Sequence, residues 1–477
     1  MTKARIFYHS LSDDMRRKEK LDWFRENKFE SIPFTRLVPD EKNNWINNAD
    51  NDFDTLLPLI DKEAKAGKTE RAIFKLFSRG VATQRDEWVY DFNKTNLEKK
   101  TRFMVNVYQK TLENQYYEGK MQIKWDRELD GYLKRNISKT FSESQIIRSI
   151  YRPFIKMWFY FDKHFNGMIY QLSHIFPNSS SENKLLWLKA GSDWNFFVLA
   201  IDNLPDLLPQ GGSQCLPLYR YDATGVRHDN ITDWGLWQFR SHYNPEAIES
   251  SSPVCYDMVN DVMADYQPQQ IEKEDIFHYT YAVLHDPAYR TKYELNLKRD
   301  FPRLPFYADF WQWAAWGKQL MELHIGYESM EPYPLRRTDV PLAVGRARSE
   351  SSKQAMMQLS MIADMLQGEP SKTDKLAQPK CKLKANKEAG TIEVDEETTL
   401  SGIPSEAWEY KLGNRSALEW VLDQYKEKKP SDPTIAEQFN TYRFADYKEQ
   451  VIDLLGRVCA VSLRTVGVVD SMRKASS

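Results

Sequence analysis

Fourteen tryptophans, 25 tyrosines and 24 phenylalanines in 477 residues set the first constraint, because side chains this large and apolar leave water only by packing against one another. A chain carrying that load does not stay unfolded. Its length is enough for two or three packed domains. Apolar runs nevertheless stay short. Met157 to Phe161 and Phe196 to Ile201 fall far below the roughly 20 residues that cross a bilayer. After Lys3 and Arg5 the apolar run ends at Tyr8, too short for the core of a secretory signal, so no membrane contact and a cytoplasmic location are expected.

A formal net charge of -2 excludes a chain that holds nucleic acid by bulk positive charge, so any contact with DNA must be concentrated locally. Cys215, Cys255, Cys381 and Cys459 are widely spread with no Cys-x-x-Cys pair, which points to neither a disulfide framework nor a zinc ribbon.

Ala4 to Tyr8 reads as a short strand, with Ser12 placed to cap a helix through Met15, Leu21 and Phe24. Phe103, Val107, Leu112 and Tyr116 fall near one helical stripe, whereas Ile155 to Asp162 and Phe196 to Ile201 fit buried strands. Turn formers from Leu204-Pro205 to Asp222-Ala223-Thr224-Gly225 mark a loop-rich β region. A helix is predicted from Asp275, with Ile276, Tyr279 and Val283 at helical spacing. Polar residues dominate from Arg346 to Lys387, and Gly368-Glu369-Pro370-Ser371 breaks any helix, so 346–400 is expected to be a polar linker or inserted loop. Ser416 and Glu419 at capping-box spacing, then Val451, Leu454, Leu455 and Val458 on one stripe, predict a helical region over 401–477. The expected fold class is α+β: a mixed region over 31–345 followed by a helical C-terminal region.

Catalytic signatures are incomplete. Ala66-Gly67-Lys68-Thr69 has the end of a phosphate-binding loop, but Lys62 stands where its first glycine belongs. Asp54, Glu63 and Lys65 make a loose nuclease-like triplet in a chain that is 28% charged, where such triplets arise readily as solvated surface. His278 and His285 are seven residues apart, and no further histidine completes a metal-binding spacing.

Two segments rise above this background. Between Lys120 and Tyr160 nine cations face four acids, interleaved with Tyr132, Phe141, Tyr151, Phe154 and Trp158. That composition suits either phosphate and guanine contacts or a merely solubilising basic face. In Ile73 to Phe92 a polar turn carries Ser78, Gly80, Thr83, Arg85 and Asp86; Gly80 is suited to positive φ, and Arg85 is either a guanidinium reading DNA or half of an ion pair that fixes the loop.

Ser78-Arg79-Gly80-Val81-Ala82-Thr83 leading to Arg85-Asp86-Glu87-Trp88-Val89-Tyr90, then Ile150-Tyr151-Arg152-Pro153-Phe154, Asp275-Ile276-Phe277-His278-Tyr279, Leu297 to Phe306 and Ile403 to Tyr410 with Asn414 to Trp420, resembles the C-terminal specificity region of Type ISP restriction-modification enzymes. The resemblance covers nearly the whole chain, with its blocks in one order. It implies a target-recognition domain binding double-stranded DNA over 31–345, with residues 1–30 similar to the last strand and helix of an adenine N6-methyltransferase fold. It also implies partners: the methyltransferase and helicase-nuclease portions of the same system, which would hold S-adenosylmethionine and ATP with magnesium. No cofactor, metal or catalytic residue is expected in this chain itself, since no Asn-Pro-Pro-Tyr loop occurs; Asn244-Pro245-Glu246-Ala247 lacks the second proline and the aromatic. The residues expected to meet DNA are Thr83, Arg85, Lys134, Arg135, Arg148, Arg152 and Lys156. Loss of Arg85 or Arg152 is expected to weaken DNA binding more than loss of the linker lysines Lys372 or Lys375. Half of a split adenine methyltransferase and a non-DNA helical scaffold are the alternatives.

Overall fold

The structure is a computed structural model and describes residues 4–12, 15–39, 45–46, 49, 51–178, 180–191, 195–207, 212–244, 270–340 and 379–475. The chain opens on β1 (Ile6–Tyr8), α1 (Arg17–Glu26) and β2 (Thr35–Leu37), with β1 and β2 antiparallel. The cap of α1 is Arg16, whose backbone N–H donates to Glu19 Oε2 at 2.6 Å, rather than the expected Ser12. None of α1 is buried.

β3 (Ser78–Arg79) precedes α2 (Lys94–Glu113), where the Asn93 side chain accepts from the Asn96 N–H at 3.0 Å and Leu97, Met104, Val107 and Tyr108 form the buried face. Tyr116 lies past the end of this helix and is exposed, because the chain leaves helical conformation at Asn114. Asp126 caps α3 (Arg127–Lys134), and a hairpin of β4 (Ile146–Arg152) and β5 (Ile155–Tyr160) follows.

β6 (Leu185–Lys189) and β7 (Phe197–Ile201) are buried at every residue, and with β8 (Gln214–Pro217) they form an antiparallel sheet in the order β3-β8-β6-β7. Alternate strand residues point to opposite faces, so a strand buried throughout must separate two cores. That partition is what the sheet makes. Leu185, Trp187, Phe197, Leu199 and Ile201 belong to one core with Phe154, Phe159 and Tyr108, while Leu186, Leu188, Val198 and Ala200 belong to a second. The second core is completed by α4 (Lys273–Val283) and α5 (Phe310–Ile325). A side chain at Gly317 would place its Cβ 1.8 Å from the His278 carbonyl oxygen, so glycine lets α4 and α5 meet backbone to backbone.

The polar stretch expected at 346–400 divides. Residues 341–378, including Gly368 to Ser371, lie outside the described residues. Beyond them the linker expectation is corrected: β9 (Arg336–Asp339), β10 (Cys381–Asn386), β11 (Thr391–Asp395) and β12 (Thr398–Ser401) form an antiparallel sheet in the order β9-β12-β11-β10. Leu383, Ile392, Val394 and Leu400 turn inward while Lys382, Lys384 and Glu393 face water, so a half-buried sheet reads as polar by composition. α6 (Ala417–Tyr425) carries the Ser416–Glu419 capping box, and α7 (Lys448–Ala475) buries Val451, Leu454, Leu455 and Val458. The fold is α+β. Among the described residues no helix is long and apolar enough to cross a membrane. Cys215, Cys381 and Cys459 are free thiols, and Cys255 lies outside the described residues.

Candidate nucleic-acid interface

The polar turn after β3 is woven between two other segments. Val81 N–H donates to Pro205 O at 2.9 Å and Leu207 N–H returns a bond to Val81 O at 2.8 Å. On the other side Ala82 and Met168 exchange two backbone bonds of 2.9 Å. Gly80 does not take positive φ as expected. It is required for close approach, since a Cβ there would lie 2.2 Å from the Asp206 carbonyl oxygen. Positive φ falls instead on Gln84, at 62°.

Of the two roles open to Arg85, the geometry assigns the ion pair. Its side chain is 1% exposed, lies 2.5 Å from Asp126 and donates to the Phe165 carbonyl at 2.9 Å. Asp126 also caps α3, accepting from the Leu129 N–H at 2.7 Å, so Arg85 ties the turn to the start of that helix. Burial pulls the guanidinium pKa down and the Asp126 charge pushes back. Thr83, expected at DNA, is likewise buried: its hydroxyl donates to Asp86 and accepts from the Arg85 N–H at 3.2 Å. Both residues are structural members of the turn.

Arg152 is engaged in the same way. It bonds Asp206 at 2.8 Å, lies 4.0 Å from Asp86 and stacks on Tyr151 at 3.8 Å, while the Tyr151 hydroxyl donates to Asp86 at 3.1 Å. Burial opposes its charge, but Tyr151, Asp206 and Asp86 overcome that and raise its pKa. Lys156 is held by Glu328 at 2.8 Å and Asp202 at 3.8 Å with 12% of its side chain exposed. Arg148 is half-buried over the Trp158 ring at 5.2 Å, and Lys94 lies over the same ring at 5.6 Å.

Lys134 and Arg135, at the end of α3, are the two of the seven expected DNA residues that are exposed; the Arg135 side chain donates to the Gly131 carbonyl at 3.1 Å and stacks on Tyr132 at 4.8 Å. Of the nine cations of 120–160, Arg152 and Lys156 are thus held by ion pairs, whereas Lys124, Arg127, Lys134 and Arg135 are exposed. Asp206 and Gln84 were invisible to the sequence reading. Asp206 is remote in sequence, and nothing in a run of polar residues tells which side chain of a turn points outward.

Thr83, Gln84, Asp86, Glu87, Lys124 and Asp206 help line a cleft of about 490 Å³ beside the turn. The Asp54, Glu63 and Lys65 triplet does not assemble: Asp54 faces Arg303, Glu63 pairs with Lys68, and the Lys65 ammonium donates to the Phe77 carbonyl. Gly67 takes φ 77° just past a short helix at Lys62–Lys65 and forms no phosphate loop. No group of three or more His, Cys, Asp or Glu fit to hold a metal occurs among the described residues.

The family model for the Type ISP C-terminal specificity domain matches residues 72–454. The chain belongs to that family. Among solved structures, this specificity domain is similar to a chain of a DrdV–DNA complex determined by cryo-electron microscopy, with 43% identity and a TM-score of 0.77 over 98% of this chain and 43% of that one. It is also similar to a nuclease-deletion mutant of the Type ISP restriction-modification enzyme LlaGI in complex with a DNA substrate mimic (25% identity, TM-score 0.69, 98% and 39% of the two chains). The ATP-dependent Type ISP enzyme LlaBIII bound to DNA shares the fold, with 24% identity and a TM-score of 0.67 over 92% of this chain and 25% of that one. The Type ISP specificity chain thus spans less than half the length of these neighbours. No curated protein matches it.

Proposed function

We propose that this chain reads a specific sequence in double-stranded DNA as the target-recognition part of a restriction-modification system, acting in the cytoplasm. What carries the reading is the match of residues 72–454 to the specificity-domain family, joined to 43% identity with a chain of a DNA complex. The adenine N6-methyltransferase and helicase-nuclease portions, with their S-adenosylmethionine and their ATP and magnesium, are assigned to the rest of the system, and no step of their chemistry is routed through the described residues.

The phosphate-facing groups are Lys134 and Arg135, exposed together at the end of α3 while the ion-paired cations are engaged inside. Neutralising phosphates releases counterions, so each contact contributes about 0.9 to the slope of log affinity against log salt. The wild-type chain is expected to bind duplex DNA in a salt-sensitive manner with a preferred site. The Lys134→Ala/Arg135→Ala double variant should weaken binding evenly across sequences and flatten that slope by about 2. Fluorescence anisotropy titrations over a salt series check this, and an absence of duplex binding by the wild type at low salt rejects the function.

The partner assignment rests on the N-terminal segment. Phe7 is 56%, Phe24 57% and Phe29 72% exposed, an apolar surface of a kind that marks contact with another protein part. We assign this surface to the methyltransferase portion. Amide hydrogen exchange over residues 4–39 should slow when that portion is present. Unchanged exchange would reject the assignment.

A further inference from the structure

Gln84 is the single exposed residue between Gly80 and Trp88. Its backbone sits at φ 62°, a conformation uncommon for a residue with a side chain and usually kept only where the surroundings impose it. They do so here from both sides: Ala82 is bonded to Met168, the Gly167 N–H donates to Thr83 O at 3.3 Å, and Arg85 is anchored underneath. A Cβ at Gly167 would lie 2.6 Å from Gln84 Cγ, so glycine there gives the glutamine stem its seat. The Gln84 carboxamide has no hydrogen-bond partner among the described residues. Beside it Met168 is 53% exposed, and Arg79, also exposed, lies over the Tyr170 ring at 5.8 Å.

The turn at 79–84 is thus tied to the turn at 163–170 by the Ala82–Met168 bridge and the Gly167–Thr83 bond, with the Gln84 amide exposed at the edge of the cleft it helps line. A carboxamide, with one donor and one acceptor side by side, complements the N7 and N6 amino group that adenine shows in the major groove. An apolar side chain next to it suits the thymine methyl group. A strained but over-determined turn holds such a reader in place without ordering it at the moment of binding. Resting on the DNA-recognition reading above, we propose that these braced turns face the major groove and that Gln84 reads an adenine edge, with Met168 against the methyl group of a thymine.

The test is selection from a random duplex library by the full chain, compared with Gln84→Gly and Gln84→Arg, together with thermal melting. The wild type should enrich a motif containing an A·T pair. Gln84→Gly should keep the rest of the motif, lose roughly 5- to 150-fold preference at that pair, and melt no lower than wild type, because glycine accepts positive φ without strain. Gln84→Arg should move the preference there toward guanine. An unchanged motif in both variants overturns this inference alone. A wild-type chain that binds duplex yet enriches no motif overturns the recognition reading and this inference with it. A Gln84→Gly chain that melts lower and binds no duplex marks Gln84 as a structural residue and also overturns the proposal.

Discussion

Arg85→Met is expected to destabilise the fold by about 3 kcal/mol, because it leaves Asp126, 16% exposed and facing the interior, without its cation. The effect on DNA binding should be indirect: protein that remains folded keeps its slope of affinity against salt. The companion variant Arg85→Met/Asp126→Asn should recover much of the loss. Asparagine removes the buried negative charge while still able to accept the Leu129 N–H bond that starts α3. Urea unfolding of the two variants, with DNA titrations on each, separates the roles. Arg85→Met that melts like wild type but loses one unit of salt slope would return Arg85 to the phosphate-contacting set.

Arg85 also shows where the sequence could and could not be read. The polar turn was legible as a unit, and so were the strand at Ile155, the buried strand at Phe197 and the Ser416 cap, because local propensity and pattern agree with the fold there. What remained hidden depends on partners far along the chain. Asp126 lies 41 residues from Arg85 and Asp206 lies 54 residues from Arg152, so a segment rich in cations is read as a DNA-facing surface until its counter-charges are located. The strands at 381–401 were hidden differently. Their solvent face carries Lys382, Lys384 and Glu393, and charge-rich composition outweighed a period-two pattern only a few residues long. Gln84 could not have been singled out at all, since its distinction is a backbone angle and a neighbouring glycine 83 residues away.

Acidification should destabilise the protein before its carboxylates titrate. Three histidines are buried among the helices of the second core and α7. His324 lies between the Tyr281 hydroxyl at Nδ1 and Thr465, 2.9 Å from Nε2, and burial, with the Arg290 charge adding to it, lowers its pKa to about 3. Burial lowers His278 to about 4 against the opposing pull of Glu274, and burial with Arg290 and His324 puts His285 well below its usual value. In the unfolded chain each would titrate near 6.5, so the unfolded state takes up protons first as pH falls. The stability contributed by keeping these rings neutral is complete above about pH 6.5 and is lost progressively below it, toward the folded-state values. Between pH 6.5 and 5 that amounts to at most about 2 kcal/mol each for His278 and His324, and His285 acts in the same direction. Glu419, Glu87 and Asp395, whose pKa values the fold lowers, lose their contributions only below that window, while Asp275, whose pKa burial raises, acts in the opposite sense to the histidines. Urea midpoints measured from pH 7.5 to 5 should fall steeply, with uptake of two to three protons on unfolding. A midpoint that stays level to pH 5 would mean that these rings can gain protons inside the fold, through a rearrangement of the contacts by which His324 joins α5 to α7.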